Sequence, residues 1–235
     1  MNAPKAVLFD LEGTVLKEER FDPAAGTARL IELAENSHAV SHQEVQRLAA
    51  ELDAELMPRK YSSLIELPWR AFNRQLFERL GITVPLSAAQ AELEFWKTAE
   101  IMAPTTGIGL VLQALAQSNI PTGIVSNSAF HEDTLRWELT RHGLIDWLQF
   151  VISSSDYGVR KPHPFLFLVA AARLGLQPCD VWFVGDSLAY DVAGARGASM
   201  TSIWYNPGAL PCDGPAPDME IRQWEEFLEV IQACN

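Results

Sequence analysis

VLFDLEGTVL, residues 7–16, begins as an apolar run and breaks into acids: Asp10 and Glu12 flank Leu11, and Gly13-Thr14 follow. The run Ala6 to Asp10 reads as a buried strand. Side chains at i and i+2 of a strand share a face, so both carboxylates can serve one reaction centre. One acid there can attack as a nucleophile while the other moves protons. Gly13 permits backbone geometry that other residues resist. Taken alone, the stretch reads equally as a strand followed by an acid–glycine turn.

Working outward, four more short apolar runs read as strands: Thr122 to Ser126, Phe150 to Ser153, Val181 to Gly185 and Thr201 to Tyr205. Helical patterns over 108–118, 130–142, 164–174, 188–196 and 224–233 alternate with them. Near-continuous apolar strands alternating with helices indicate an α/β fold, a parallel sheet covered on both faces. The gap between the first and second strands far exceeds one crossover helix. Its content reads as helical throughout. Ser41-His42-Gln43-Glu44 and Ser87-Ala88-Ala89-Gln90 have the capping-box form. Trp69, Phe72, Leu76 and Leu80 recur at helical spacing before a stop at Gly81. Residues 17–102 are therefore expected to form a helical insert, and residues 1–16 and 103–235 the α/β core.

The chain has 235 residues, with 48% apolar, 20% charged and a formal net charge of −12. That negative field argues against nucleic acid and anionic membrane as partners. The longest apolar stretch, Phe165 to Ala172, is too short to span a bilayer. Three scattered cysteines and the absence of a leader pattern point to a reducing, cytoplasmic setting and away from zinc.

Three further polar sites lie at or beyond strand ends, the edge where open α/β sheets bind ligands. Ser126-Asn127-Ser128 offers hydroxyls and an amide to phosphoryl oxygens, or else a helix N-cap. Lys161, in Arg160-Lys161-Pro162, can neutralise a carboxylate and a phosphate together, or simply sit in solvent. Asp186 and Asp191, in Gly185-Asp186-Ser187-Leu188-Ala189-Tyr190-Asp191, suit a hard cation such as Mg²⁺, or a helix start whose dipole favours acids.

The ordered set (Asp-x-Glu-Gly-Thr, strand plus Ser, Lys-Pro, then Gly-Asp-x4-Asp) resembles the haloacid dehalogenase (HAD) superfamily. The resemblance covers residues 1–16 and about 103–205, and the insert sits where that superfamily carries a cap. It implies a Rossmann-like core with a small helical cap, and a Mg²⁺-dependent hydrolase of small phosphorylated metabolites. Asp10 matches the nucleophile that becomes aspartyl-phosphate and Ser126 the phosphoryl-holding hydroxyl, with Asn127 beside it. Lys161 matches the lysine that steadies nucleophile and phosphate. Asp186 and Asp191 match magnesium ligands, Glu12 adding its carbonyl to Asp10 and these two. Most phosphatases of the superfamily carry Asp where this chain has Glu12. The added methylene moves the carboxyl by about an ångström, enough to cost roughly a hundredfold in rate unless the pocket is shaped for it. Enolase-phosphatases resemble this chain in carrying a similar Asp-x-Glu-Gly-Thr. Alternatives under the same resemblance are a haloacid dehalogenase, a phosphomutase, or a binding protein disabled at Glu12. Specificity is expected in the cap, with Arg59 and Lys60 on a loop that Pro58 opens by breaking a helix.

Overall fold

The computed structural model describes residues 3–37 and 40–234. Strand β1, Ala6–Phe9, has all four residues buried. Leu16–Phe21 forms β2 and Glu100–Pro104 forms β3; Thr122–Ser126 is β4 and Phe150–Ser153 is β5. Val181–Gly185 is β6, Thr201–Tyr205 β7 and Met219–Ile221 β8. Six strands make one sheet in the order β5-β4-β1-β6-β7-β8, and every neighbouring pair runs parallel. β1 is thus an inner strand, with Val7 opposite Thr122 on one side and Trp182 on the other.

Such a strand must be apolar on both faces, and its alternation divides the interior in two. Val7 and Phe9 join one cluster with Ile124, Val184 and Trp224, whereas Ala6 and Leu8 join a second with Val125, Phe183 and Phe167. The sequence reading of five parallel strands under helices on both faces holds. β8 is an addition that three residues gave too weak a pattern to reveal.

The helices before β4 are α1 (Pro23–Glu32), α2 (His42–Ser63), α3 (Trp69–Leu80), α4 (Ala88–Ala99) and α5 (Ile108–Gln117). Both capping boxes form: the Ser41 hydroxyl accepts from Glu44 N and the Ser87 hydroxyl from Gln90 N, each at 3.3 Å. Gly81 closes α3 at φ +65°. α1 lies close against α4 because Gly26 has no side chain; a Cβ there would stand 2.7 Å from the Phe95 ring. Trp69 meets Phe95 at 4.8 Å between ring centroids, and Trp96 meets Phe130, beyond β4, at 4.6 Å. Apolar residues of α1–α4 therefore share one continuous cluster with Val7 and Phe9.

Two expectations are corrected. Residues 17–102 are not helical throughout: β2 and β3, at its two ends, pair as an antiparallel ribbon with an irregularity between Glu18 and Arg20. And Pro58 does not open a loop; it lies inside α2. Proline costs a helix interior about 3 kcal/mol. Beyond Pro58, Lys60 is anchored 2.8 Å from the buried Glu66 carboxylate, a tertiary contact that helps carry the helix past the break.

The remaining helices are α6 (Glu132–Arg141), α7 (Ser154–Tyr157), α8 (Phe165–Leu174), α9 (Ala193–Gly197) and α10 (Trp224–Cys234). No described helix is long and apolar enough to cross a membrane.

Candidate active site

The carboxyl ends of β1, β4 and β6 deliver Asp10, Ser126 and Asp186 to one edge of the sheet. Asp10 follows β1, and its N–H still donates to Val184 O at 2.8 Å, so the ladder to β6 fixes its backbone. The chain then leaves the strand. Leu11 O accepts from Val15 N at 2.9 Å and Leu16 N at 2.8 Å, and Gly13 turns at φ +80°. The period-two reading of Asp10 and Glu12 is therefore replaced by a tight turn, which nonetheless puts both acids on the same cleft of about 530 Å³.

Lys161 arrives from the loop after α7 and is 1% exposed. Its ammonium donates to Asp10 Oδ1 at 2.5 Å, Asp191 Oδ1 at 2.6 Å and Val125 O at 2.9 Å. All three donor hydrogens are used, as burial of an ammonium requires. Asn127 fixes the backbone of the same residue: its amide donates to Lys161 O at 3.1 Å and accepts from Lys161 N at 2.7 Å. Asn127 itself also lines the cleft. Ser126 stays on the cleft, and no other described residue hydrogen-bonds its hydroxyl.

Ser187 caps a π-turn over Leu188–Val192 that carries Asp191 inward, and Asp191 Oδ2 accepts from Ser187 N at 3.0 Å. Two glycines make room for the acids. A Cβ on Gly13 would lie 2.3 Å from Asp186 Oδ2, and one on Gly185 would lie 2.3 Å from Asp191 Cγ.

Crowding sets the electrostatics. Burial pushes Asp10 up to about 8; Lys161 pulls it back, and Asp191 and Asp186 push it further up. Burial, then Asp191, raises Asp186 to about 6. Lys161 is raised: burial opposes its charge, but Asp10 and Asp191 more than offset this. Glu12 is raised by desolvation and by Glu18. One oxygen from each of Asp10, Asp186 and Asp191 lies within 4.8 Å of the others. Three oxygen donors of like charge with a single lysine between them are the environment a hard divalent cation relieves.

Of the expected specificity residues, Lys60 is held by Glu66 and does not line this cleft, and the Arg59 side chain lies outside the described residues. His131, just before α6, bonds the buried Glu92 at 3.0 Å. The cleft also takes Lys17 and Glu18 from β2, together with Arg160. No strand pattern marked β2, but Arg160 adjoins Lys161 and was visible by adjacency.

A family model described as haloacid dehalogenase-like hydrolase matches residues 4–199. The chain belongs to that family. Among curated relatives, a glyceraldehyde 3-phosphate phosphatase of Methanopyrus kandleri is 26% identical over 97% of each chain. A phosphoglycolate phosphatase of Yersinia pseudotuberculosis is 28% identical over 97% of this chain and 94% of its own. A HAD phosphatase structure from Thermococcus onnurineus superposes with a TM-score of 0.66 at 26% identity, covering 98% of both chains. A 2-haloacid dehalogenase from Pseudomonas syringae reaches 0.71 over the whole of both chains at 24% identity, a likeness of fold alone.

Proposed function

We propose that the protein hydrolyses small phosphomonoesters through an aspartyl-phosphate on Asp10, with residues 17–102 acting as the cap over the site. The observation that carries this reading is Asp10 held 2.5 Å from the Lys161 ammonium inside a three-carboxylate cluster. A phosphomonoester is an anion approaching a carboxylate, so positive charge must be fixed in advance. Lys161 supplies one such charge and orients the nucleophile. The Ser126 hydroxyl, without a hydrogen-bond partner among the described residues, lies on the cleft to donate to a phosphoryl oxygen. Asp10, Asp186 and Asp191 would hold Mg²⁺, which supplies further positive charge when bound.

Asp10 attacks phosphorus as the bond to the leaving oxygen breaks, and Glu12 gives its proton to that oxygen. Glu12 suits the role: desolvation and Glu18 favour its protonated form, and no described residue hydrogen-bonds its carboxyl. Water then attacks the aspartyl-phosphate, Glu12 takes the proton, and phosphate leaves with Asp10 restored. The relatives named for glyceraldehyde 3-phosphate and phosphoglycolate support a small phosphorylated substrate. The dehalogenase-like fold suggests carbon–halogen hydrolysis as a second reading. The Asp10, Asp186 and Asp191 cluster suits a divalent cation, which phosphoryl transfer calls for, and this favours the phosphatase.

The test is phosphate release from an aryl phosphate with Mg²⁺. Wild type should turn over stoichiometrically and lose activity with chelator; Asp10→Asn should be inactive. Glu12→Asp should fall by about a hundredfold, because a carboxyl misplaced by an ångström loses its proton transfer. Undiminished turnover by Asp10→Asn would refute the assignment.

A further inference from the structure

Beside the catalytic lysine lies a charge cluster that the mechanism above does not use. A short antiparallel bridge lays Leu64–Glu66, between α2 and α3, along Gly158–Arg160. Ile65 opposes Val159, Arg160 N donates to Leu64 O at 2.9 Å, and Glu66 N donates to Gly158 O at 3.1 Å. This puts the fully buried Glu66 carboxylate against the Arg160 guanidinium, with Lys60 Nζ at 2.8 Å and Ser154 Oγ at 2.6 Å. Two cations share one carboxylate, and among the described residues no other acid pairs with either cation. The cluster carries a net charge of about +1 by formal count, in a place where an uncompensated charge is costly. Arg160, itself 7% exposed, lines the cleft.

The cleft is where that charge has a use. Carboxylates outnumber cations along its walls. Lys161 is already spent on Asp10 and Asp191. Against Asp10, Glu12, Glu18, Asp186 and Asp191 stand Lys17, Arg160 and Lys161; a divalent cation only balances that formal count, so an entering phosphoryl dianion gains from any further positive charge. We propose that the Lys60–Glu66–Arg160 cluster is a second source of positive charge for binding the phosphoryl group, with Glu66 setting its strength by cancelling one of two cations. The inference rests on the phosphatase reading and extends it: part of the anion site belongs to the inserted segment. Lys60 acts from behind the wall rather than on a loop over the substrate.

The cluster makes a sign-reversing test possible. Inorganic phosphate binding is measured by titration calorimetry on the whole chain with Mg²⁺, for wild type, Lys60→Met, Arg160→Gln and Glu66→Gln. The first two substitutions each remove one positive charge; the third adds one. Lys60→Met and Arg160→Gln should weaken phosphate on the order of three- to tenfold, the range expected for one charge acting across a partly screened site. Glu66→Gln should tighten phosphate by a similar factor even though the protein melts at a lower temperature. If the cluster only braced the Lys161 loop, all three variants would bind more weakly; that result overturns the proposal. So does unchanged binding in Lys60→Met, which keeps Glu66 paired with Arg160 and Ser154 and decides the matter if Glu66→Gln fails to fold. A wild type that binds phosphate without turning over an aryl phosphate removes the hydrolase reading and leaves the variant comparison standing. A wild type that binds no phosphate removes both.

Discussion

Replacing Lys161 with methionine leaves Asp10 and Asp191 buried around an apolar group, where an ammonium had stood 2.5 and 2.6 Å from their oxygens. Breaking a buried pair by removing one partner costs about 3–5 kcal/mol, because the remaining charge has neither water nor counter-ion. For a chain of this size each kcal/mol moves the melting temperature by about 2–4 °C, so the metal-free variant should melt roughly 6–20 °C below wild type at pH 8. The pH dependence has a definite sign. Lys161 has a raised pKa, so its contribution is fully present below the ordinary lysine value and is lost only at more alkaline pH. In the variant the stranded carboxylates relieve their cost by taking up protons. The deficit should therefore shrink as pH falls from 8 to 5. Thermal melts followed by circular dichroism at both pH values, without metal, measure it. A variant within about 2 °C of wild type at pH 8, or a deficit that grows on acidification, would refute the view that Lys161 neutralises these two acids.

Wild type stripped of metal should itself lose stability as pH rises. Asp10 at about 8 and Asp186 at about 6 both hold protons in the folded chain that the unfolded chain has released above pH 4. Their contribution is present below pH 4 and declines up to about pH 8; Mg²⁺ should flatten that decline, and identical denaturation profiles with and without Mg²⁺ would count against the cation site. Gly13→Ala should fold but bind Mg²⁺ weakly and lose activity by about a hundredfold, since φ +80° and a Cβ 2.3 Å from Asp186 Oδ2 both force that carboxylate to move. Calorimetric Mg²⁺ titration of this variant checks it, and unaltered affinity would show that the close approach is unimportant.

Much of the core and its polar edge was legible because apolar strands ending in acids leave a local trace. Val181 to Gly185 followed by Asp186 shows the strand and the site in one run of sequence. What was not legible depended on contacts that residue type and periodicity do not announce. β2 is exposed apart from Leu16, so its residues carry no burial pattern, and its partner β3 is Glu100–Pro104. Pro58 reads as a helix breaker until Glu66 is seen holding Lys60. That Asn127 also clamps the backbone of Lys161, 34 residues on, no local pattern could show. The turn at Leu11–Leu16 shows the same limit: Asp10 and Glu12 share a cleft, but through a glycine turn rather than strand alternation.

The inner position of β1 also bears on how the protein is made. Ala6–Phe9 leaves the ribosome before either of its neighbours, Thr122–Ser126 and Val181–Gly185, with both edges unpaired. Its four hydrophobic side chains must wait for partners while the whole segment between β1 and β4 is synthesised. Pairing at such separation is slow, and unpaired apolar strands invite association with other chains. Residues 17–102 can form local helices in that interval, and the site's own nucleophile, Asp10, gains its lasting surroundings only once β6 has emerged. Nascent chains truncated before Gly185 should therefore remain without a completed sheet, whatever the state of the helices already formed.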